Sequence, residues 1–428
     1  MDPDANPVLS RRALLAGLSL GGVAALVAAC SPGPSPSAGS PEPSGSAAGS
    51  PEPSTRSPSP SPSPSPSDSS SASGTPSPSV APRPSALDEL ARRVAGLLIV
   101  GFRGERLADA PWVRTAITSD GLGGVILFDR DQLTGRARNV VSPAQVAALT
   151  RDLRATAGAA GLLIGVDQEG GVVTRFGPSR GFPALASEAQ VGAGTVTAAR
   201  TWARTLATTV ADAGCNLDFA PVVDLDVDPT SPAIGALGRA FSADPGVVVQ
   251  MAGIELDALH TRGVRSAAKH FPGIGSATVN TDFGVADVTK TWSAAELEPY
   301  RRLNAARKLD AVMVGHVVNG QIDASYSASL SRPTLDRLRN DIGFDGPAVT
   351  DDLQAAAITQ RYGADEAVLL ALEAGNDLLL FANQQVYDPG IVAHVVGVVM
   401  GAIAHGRLTG EQIDQKWARR QGLLGLPA

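Results

Sequence analysis

Eight short apolar runs, separated by longer Ala- and Leu-rich segments, constrain the fold of this chain more than any other feature. They are Ala95–Phe102, Gly123–Phe128, Leu162–Val166, Leu217–Val223, Val264–Ala268, Ala311–Val314, Ala348–Thr350 and Asp377–Phe381. A strand with one wet face alternates apolar and polar residues, whereas these near-continuous runs suit strands covered on both sides. Strands alternating with helical stretches build βα units and a parallel sheet. Eight of them in one domain predict an α/β fold, a single (β/α)8 TIM-like barrel over residues 86–428, with a doubly wound open sheet as the alternative.

The residues that end these runs point to a site. The third run ends in Asp167-Gln168-Glu169-Gly170-Gly171 and the fourth in Asp224. The fifth ends in Lys269-His270-Phe271-Pro272-Gly273, the sixth in Gly315-His316, and the seventh in Asp351-Asp352-Leu353. One acidic residue after a strand commonly caps the next helix. Five polar clusters on one rim instead match the way a barrel assembles an active site on its C-terminal face. Carboxylates beside Lys, His and Arg suit recognition of a hydroxyl-rich ligand, and paired carboxylates are the usual equipment for glycosidic cleavage.

Other chemistries fit less well. The net charge of −7 argues against nucleic acid as a partner. The five histidines are scattered, without HExxH or HxH spacing, so no metal is expected. No GxGxxG or Walker loop is present, so neither a dinucleotide nor any other cofactor is expected.

Here the residues reach a family. Val166-Asp167-Gln168-Glu169-Gly170-Gly171-Val172-Val173-Thr174-Arg175-Phe176 resembles a signature of glycoside hydrolase family 3. So do Lys269-His270-Phe271-Pro272-Gly273-Ile274-Gly275 and the stretch from Gly343 to Leu353, which contains Thr350-Asp351-Asp352-Leu353. Phe219–Asp224, Gly238–Phe241 and Ala374–Asp377 support the match in the same order along the chain. The KHFPGxG and TDDL forms are similar to the single-domain β-N-acetylglucosaminidase branch. That resemblance implies a retaining, exo-acting enzyme that releases terminal N-acetylglucosamine, with β-glucosidase or phosphorylase activity on the same fold as alternatives. It also implies Asp351 as the nucleophile that forms a glycosyl–enzyme intermediate. Asp167, Arg175, Arg239, Lys269 and His270 match sugar-binding positions. Read individually, Arg175 is a candidate partner for Glu169, His316 a satisfied core histidine, and Asp352 a helix N-terminal residue.

One segment departs from the family. After KHFPGxG the branch usually carries Asp-Ser-His, whose His is the acid/base. This chain has Asn280-Thr281-Asp282, with Asp282 at the histidine position. Asp282 is therefore the candidate acid/base, its carboxyl oriented by Asn280. The alternatives are a donor elsewhere on the rim, His316 or Glu169, or a protein that binds sugar with little turnover. An exposed Asp titrates near 3.9, so Asp282 needs burial or a neighbouring negative charge to act as an acid.

The N-terminal part reads as an address and a tether. Arg11-Arg12 precede the apolar stretch Ala13–Ala29, which ends in Val27-Ala28-Ala29-Cys30. That is the pattern of a signal peptide, residues 1–30, whose exit resembles a lipoprotein acylation site at Cys30. The paired arginines also resemble a twin-arginine export signal. Residues 31–85 are almost entirely Ser, Pro, Gly and Ala, too poor in apolar surface to fold. In polyproline-like form they would reach on the order of 100 Å. The reading is a domain held outside the cytoplasmic membrane by a lipid anchor. Of the two cysteines, Cys215 then remains, before an apolar strand, as a buried thiol. A clickable fatty-acid analogue supplied to cells should label the wild type but not Cys30→Ala, which should turn up in the soluble fraction. Labelling that survives the substitution would remove the basis for an anchor at Cys30.

Overall fold

The structure is a computed structural model that describes residues 85–427; the export segment, Cys30 and all of the 31–85 linker but its last residue lie outside them. Eight parallel strands close into a barrel. They are β1 (Leu98–Gly101), β2 (Gly124–Leu127), β3 (Leu163–Val166), β4 (Leu217–Asp218), β5 (Arg265–Phe271), β6 (Ala311–Val314), β7 (Ala348–Asp352) and β8 (Leu378–Phe381). Each strand pairs with its neighbours in the chain, and β1 pairs with β8 in the register Leu98–Leu379 to close the ring. The barrel reading holds, and the open-sheet alternative does not.

Side chains of a strand alternate between faces, and that alternation sorts the core into two. One cluster fills the barrel and includes Ile99, Ile126, Leu163, Leu217, Phe219, Ala267, Met313, Val349 and Leu380. The intervening residues, such as Val100, Val125, Ile164, Ala268, Val312 and Leu379, point outward into a larger core under the helices. Phe219 fills space that its neighbour leaves open. A Cβ on Gly165 would lie 2.6 Å from the Phe219 ring, so a residue without one is needed there. Below, Leu423 from the helix Gly410–Leu424 plugs the barrel. Arg420 of the same helix donates to the carbonyls of Gly123 and Gly161, both at 2.9 Å.

Two strands differ from the sequence reading. β4 was expected to continue to Val223 but ends at Asp218. Pro221 has no amide hydrogen to give the ladder, which resumes only as the Val222–Lys269 bridge. β5 was expected to end at Ala268 but runs on to Phe271, so Lys269 and His270 are strand residues rather than rim residues. Two hairpins add to the C-terminal face, Gln168–Gly170 with Val173–Thr174 after β3, and Val318–Asn319 with Asp323–Ser327 after β6. Cys215 is buried as expected, and burial pushes its thiol well above the usual range.

Candidate active site

Continuing the inward series up each strand leads directly to the site. Leu163 and Gly165 are followed by Asp167, Ala267 by Lys269, and Val349 by Asp351. These polar residues form the layer above the apolar filling. They line a cavity of about 160 Å³ that has Ile126, Met313 and Leu380 among its walls. Arg175, Glu169, Arg239, His270 and Asp282 line the same cavity. The structure thus brings together every catalytic and sugar-binding residue named from the sequence.

Glu169 organises one wall. Its carboxylate takes two bonds from Arg239, Nε at 2.8 Å and Nη2 at 2.7 Å, and lies 2.7 Å from Lys269 Nζ. Lys269 Nζ also donates to Asp167 at 2.8 Å. Burial opposes charge on all of these groups, and the pairing overrides it. Arg239 and Lys269 hold Glu169 well below the usual carboxylate range, while Asp167 and Glu169 hold Lys269 above its own. Asp167, also lowered, is pulled down against burial by Lys269 and Arg175.

The hairpin after β3 sets Arg175. The Gln168 side-chain oxygen accepts from the main-chain N–H groups of Arg175 and Phe176, at 3.1 and 3.0 Å. The Arg175 guanidinium then rests 5.2 Å above the Phe128 ring centre, 3.4 Å from Asp167 and 3.9 Å from Asp129. The expected Arg175–Glu169 pair does not form, because Glu169 is already occupied by two cations.

His270 is oriented by Asp224, which accepts from Nδ1 at 2.7 Å and from the His270 and Ile274 main-chain N–H groups at 3.2 and 2.8 Å. Consecutive strand residues ordinarily face opposite sides. Lys269 and His270 nonetheless both line the cavity, and the peptide between them is cis.

Asp351, the penultimate residue of β7, lines the cavity and accepts from the Asp352 main-chain N–H at 2.8 Å. Asp352 does not cap a helix as expected. Its carboxyl accepts from the Gln354 and Ala382 main-chain N–H groups and so joins the ends of β7 and β8. Burial pushes it up to about 7. Asp282 comes from the long loop after β5. It is half-buried in the cavity wall, and burial first, then the charge of Asp351, raises its carboxyl above the usual range. Asn280 acts differently from expectation. Its side-chain oxygen accepts from the Asp282 main-chain N–H at 2.9 Å, so it shapes the loop backbone rather than aiming the carboxyl.

The model of the glycosyl hydrolase family 3 N-terminal domain matches residues 89–423. The chain belongs to this family. Curated relatives include a β-hexosaminidase of Thiobacillus denitrificans, 36% identical over 299 residues, covering 67% of this chain and 78% of that one. β-Hexosaminidase LpqI of Mycobacterium tuberculosis is 32% identical over 302 residues, 68% of this chain and 72% of that one. Among solved structures, the β-N-acetylhexosaminidase of Beutenbergia cavernae superposes with a TM-score of 0.70 at 29% identity, over 79% of this chain and 98% of its own. A family 3 β-N-acetylglucosaminidase of Paenibacillus gives 0.71 at 31% identity over 78% of this chain, which spans 62% of that larger protein.

As a family 3 member the chain is a glycoside hydrolase acting on O-glycosyl bonds, and two fall-back proton donors can be judged on geometry. His316 is fully buried with both nitrogens engaged. The Asp352 carbonyl, 2.8 Å from Nε2, can only accept, so Nε2 carries the hydrogen and Nδ1 accepts from the Ser329 hydroxyl at 2.7 Å. Burial lowers its pKa, and it is the satisfied core histidine that was expected. Glu169, bound by two cations, has no proton to give. The bridging role of Glu169 and the orienting role of Asp224 were missed in sequence. The only available signals were the Asp-x-Glu spacing after a strand and an Asp closing the Pro-Val-Val run.

Glu169→Gln should destabilise the fold by about 3 kcal/mol, because it leaves Arg239 and part of Lys269 buried without countercharge. Asp129→Asn, at a partly exposed and longer contact, should cost less than about 1 kcal/mol. Urea unfolding of both variants checks the pair of values, and equal losses would refute the central place given to Glu169.

Proposed function

We propose that this enzyme is an exo-acting, retaining β-N-acetylglucosaminidase that trims terminal N-acetylglucosamine from cell-wall-type saccharides. The observation that carries the reading is the pairing of two unlike carboxyls in one small cavity, Asp351 at a rigid strand end and Asp282 on a loop, the second raised by burial and by the first. The names of the curated and structural relatives support the choice of sugar. A cavity floored by packed barrel side chains suits the end of a chain rather than its middle.

In this mechanism Asp167, Arg175, Lys269 and His270 grip the hydroxyls of the terminal sugar, with Arg239 braced by Glu169. The Asp351 carboxylate attacks the anomeric carbon as the Asp282 carboxyl protonates the departing oxygen. The C1–oxygen bond breaks and a glycosyl–aspartate ester forms. Esterification removes the negative charge on Asp351, which after burial is the largest cause that raises Asp282. Asp282, having given up its proton, is thereby held more readily in the ionised form that must take a proton from water. The water oxygen bonds to C1, the ester breaks, and the sugar leaves with its configuration retained. An ionised Asp282 would repel an anionic acceptor such as phosphate, which favours hydrolysis over phosphorolysis. With the anchor at Cys30, this chemistry would take place at the outer face of the cytoplasmic membrane.

Asp351→Asn should lose more than about 99.9% of activity on activated aryl β-N-acetylglucosaminides while its unfolding curve stays near wild type. A variant that kept a tenth of the activity would refute the assignment. Asp282→Ala should slow substrates with basic leaving groups far more than those with acidic ones. Azide should restore its rate on good leaving groups and yield the β-glycosyl azide. The basic limb of the wild-type pH profile should lie above the ordinary Asp value of about 3.9 and vanish in Asp282→Ala. Uniform loss with no rescue by azide would leave Asp282 a structural residue.

A further inference from the structure

The proton donor sits on a long loop, and its position depends on what holds that loop over the cavity. The bonds that do so run to its main chain. The Thr281 carbonyl accepts from the Ala357 N–H at 3.1 Å, and the Asp282 carbonyl accepts from the Ala356 N–H at 3.3 Å. The shortest bond comes from a side chain, Gln385 Nε2, which donates to the Asp282 carbonyl at 2.7 Å. Gln385 is half-buried and lines the cavity from the loop after β8.

Gln385 is the third of three consecutive side-chain amides, each of which ties the β8 loop to a different neighbour. Asn383 is fully buried with φ at 53°. It donates to the Gly101 carbonyl of β1 at 2.9 Å and exchanges two bonds with Gln354, in the loop after β7, at 2.7 and 3.1 Å. Gln384 accepts from the Gln132 N–H and donates to the Arg130 carbonyl, both at 2.9 Å, in the loop after β2. Gln385 reaches the loop after β5. The first two amides fix the rail to the barrel, and the third extends from it to the donor.

We propose that Gln385 is a positioning residue for catalysis, holding the acid/base loop in place so that the Asp282 carboxyl stays in the cavity that Asp351 also lines. The assignment rests on Asp282 being the proton donor. A carboxamide suits the task because it donates without adding charge. A lysine in its place would also donate, but its cation would favour the ionised form of Asp282 and spoil it as an acid. A glutamate would keep the shape and, when ionised, have no hydrogen to give.

The test uses wild type, Gln385→Ala, Gln385→Glu and Asp282→Ala across aryl β-N-acetylglucosaminides of graded leaving-group basicity. General acid catalysis is worth about a hundredfold or more. Gln385→Ala and Gln385→Glu should therefore lose roughly tenfold or more in kcat on the most basic leaving group and under about threefold on the most acidic. Gln385→Ala should also move the basic limb of the pH profile down, as the freed loop lets water reach Asp282. A lost loop tether that serves stability alone would lower Tm and slow all substrates alike. That uniform pattern in both Gln385 variants, with Asp282→Ala showing the gradient, would overturn the role of Gln385 and leave Asp282 as the donor. A flat Asp282→Ala series would overturn both assignments. Wild-type behaviour in both Gln385 variants would also overturn the proposal.

Discussion

The site depends on one buried carboxylate. Glu169 sits between Arg239, on the loop after β4, and Lys269, on β5, cations that would otherwise repel each other in a region with little water. Without it Arg239 would be buried unpaired and Lys269 would keep only Asp167, and an unpaired charge in such a place costs several kcal/mol. Once the pair is fixed, Lys269 places Asp167, Asp167 places Arg175, and Arg239 flanks His270. This wall of the cavity is thus a chain of charge pairs with Glu169 at its centre.

The two carboxyls proposed to react are supported in unequal ways. Asp351 lies at the end of a barrel strand, two residues above Val349 in the packed interior, and moves only if the barrel moves. Asp282 stands on a loop secured by a few hydrogen bonds to neighbouring loops. The proposed retaining mechanism needs this asymmetry. The nucleophile must stay fixed through both displacements, whereas the acid/base must let the leaving group out and water in between them.

How much of this the sequence disclosed follows from the distance over which each signal acts. Continuous apolar runs gave the barrel, and the two-residue period of a strand takes Leu163, Ala267 and Val349 to Asp167, Lys269 and Asp351. Arg239 and Asp282 lie in irregular loops, where no period applies, and only resemblance to the family singled them out. Asn280 was assigned to the wrong part of Asp282, because adjacency in sequence does not reveal whether a side chain meets a carboxyl or an amide. Gln385, Asp224 and the true partner of Arg175 depend on which loops meet across the mouth, and a single chain does not record that. The early end of β4 was legible in Pro221 but was outweighed by the apolar residues around it.

Behind the ion-paired wall lies a second layer of acids, Glu188, Asp218 and Glu255, all buried. Burial, reinforced by neighbouring carboxyls, holds each well above the ordinary range and so favours its neutral form. The two layers respond to pH in opposite senses. Asp167 and Glu169, held low, contribute stability that is lost as pH falls below the ordinary carboxylate value of about 4. The inner three contribute most below that value and lose it as pH climbs towards their raised values, because the unfolded chain sheds protons that the folded one keeps. The wall therefore favours the folded state most in mildly acidic surroundings. A fold of this build would be sturdiest in an acidified medium, whatever pH suits its catalysis.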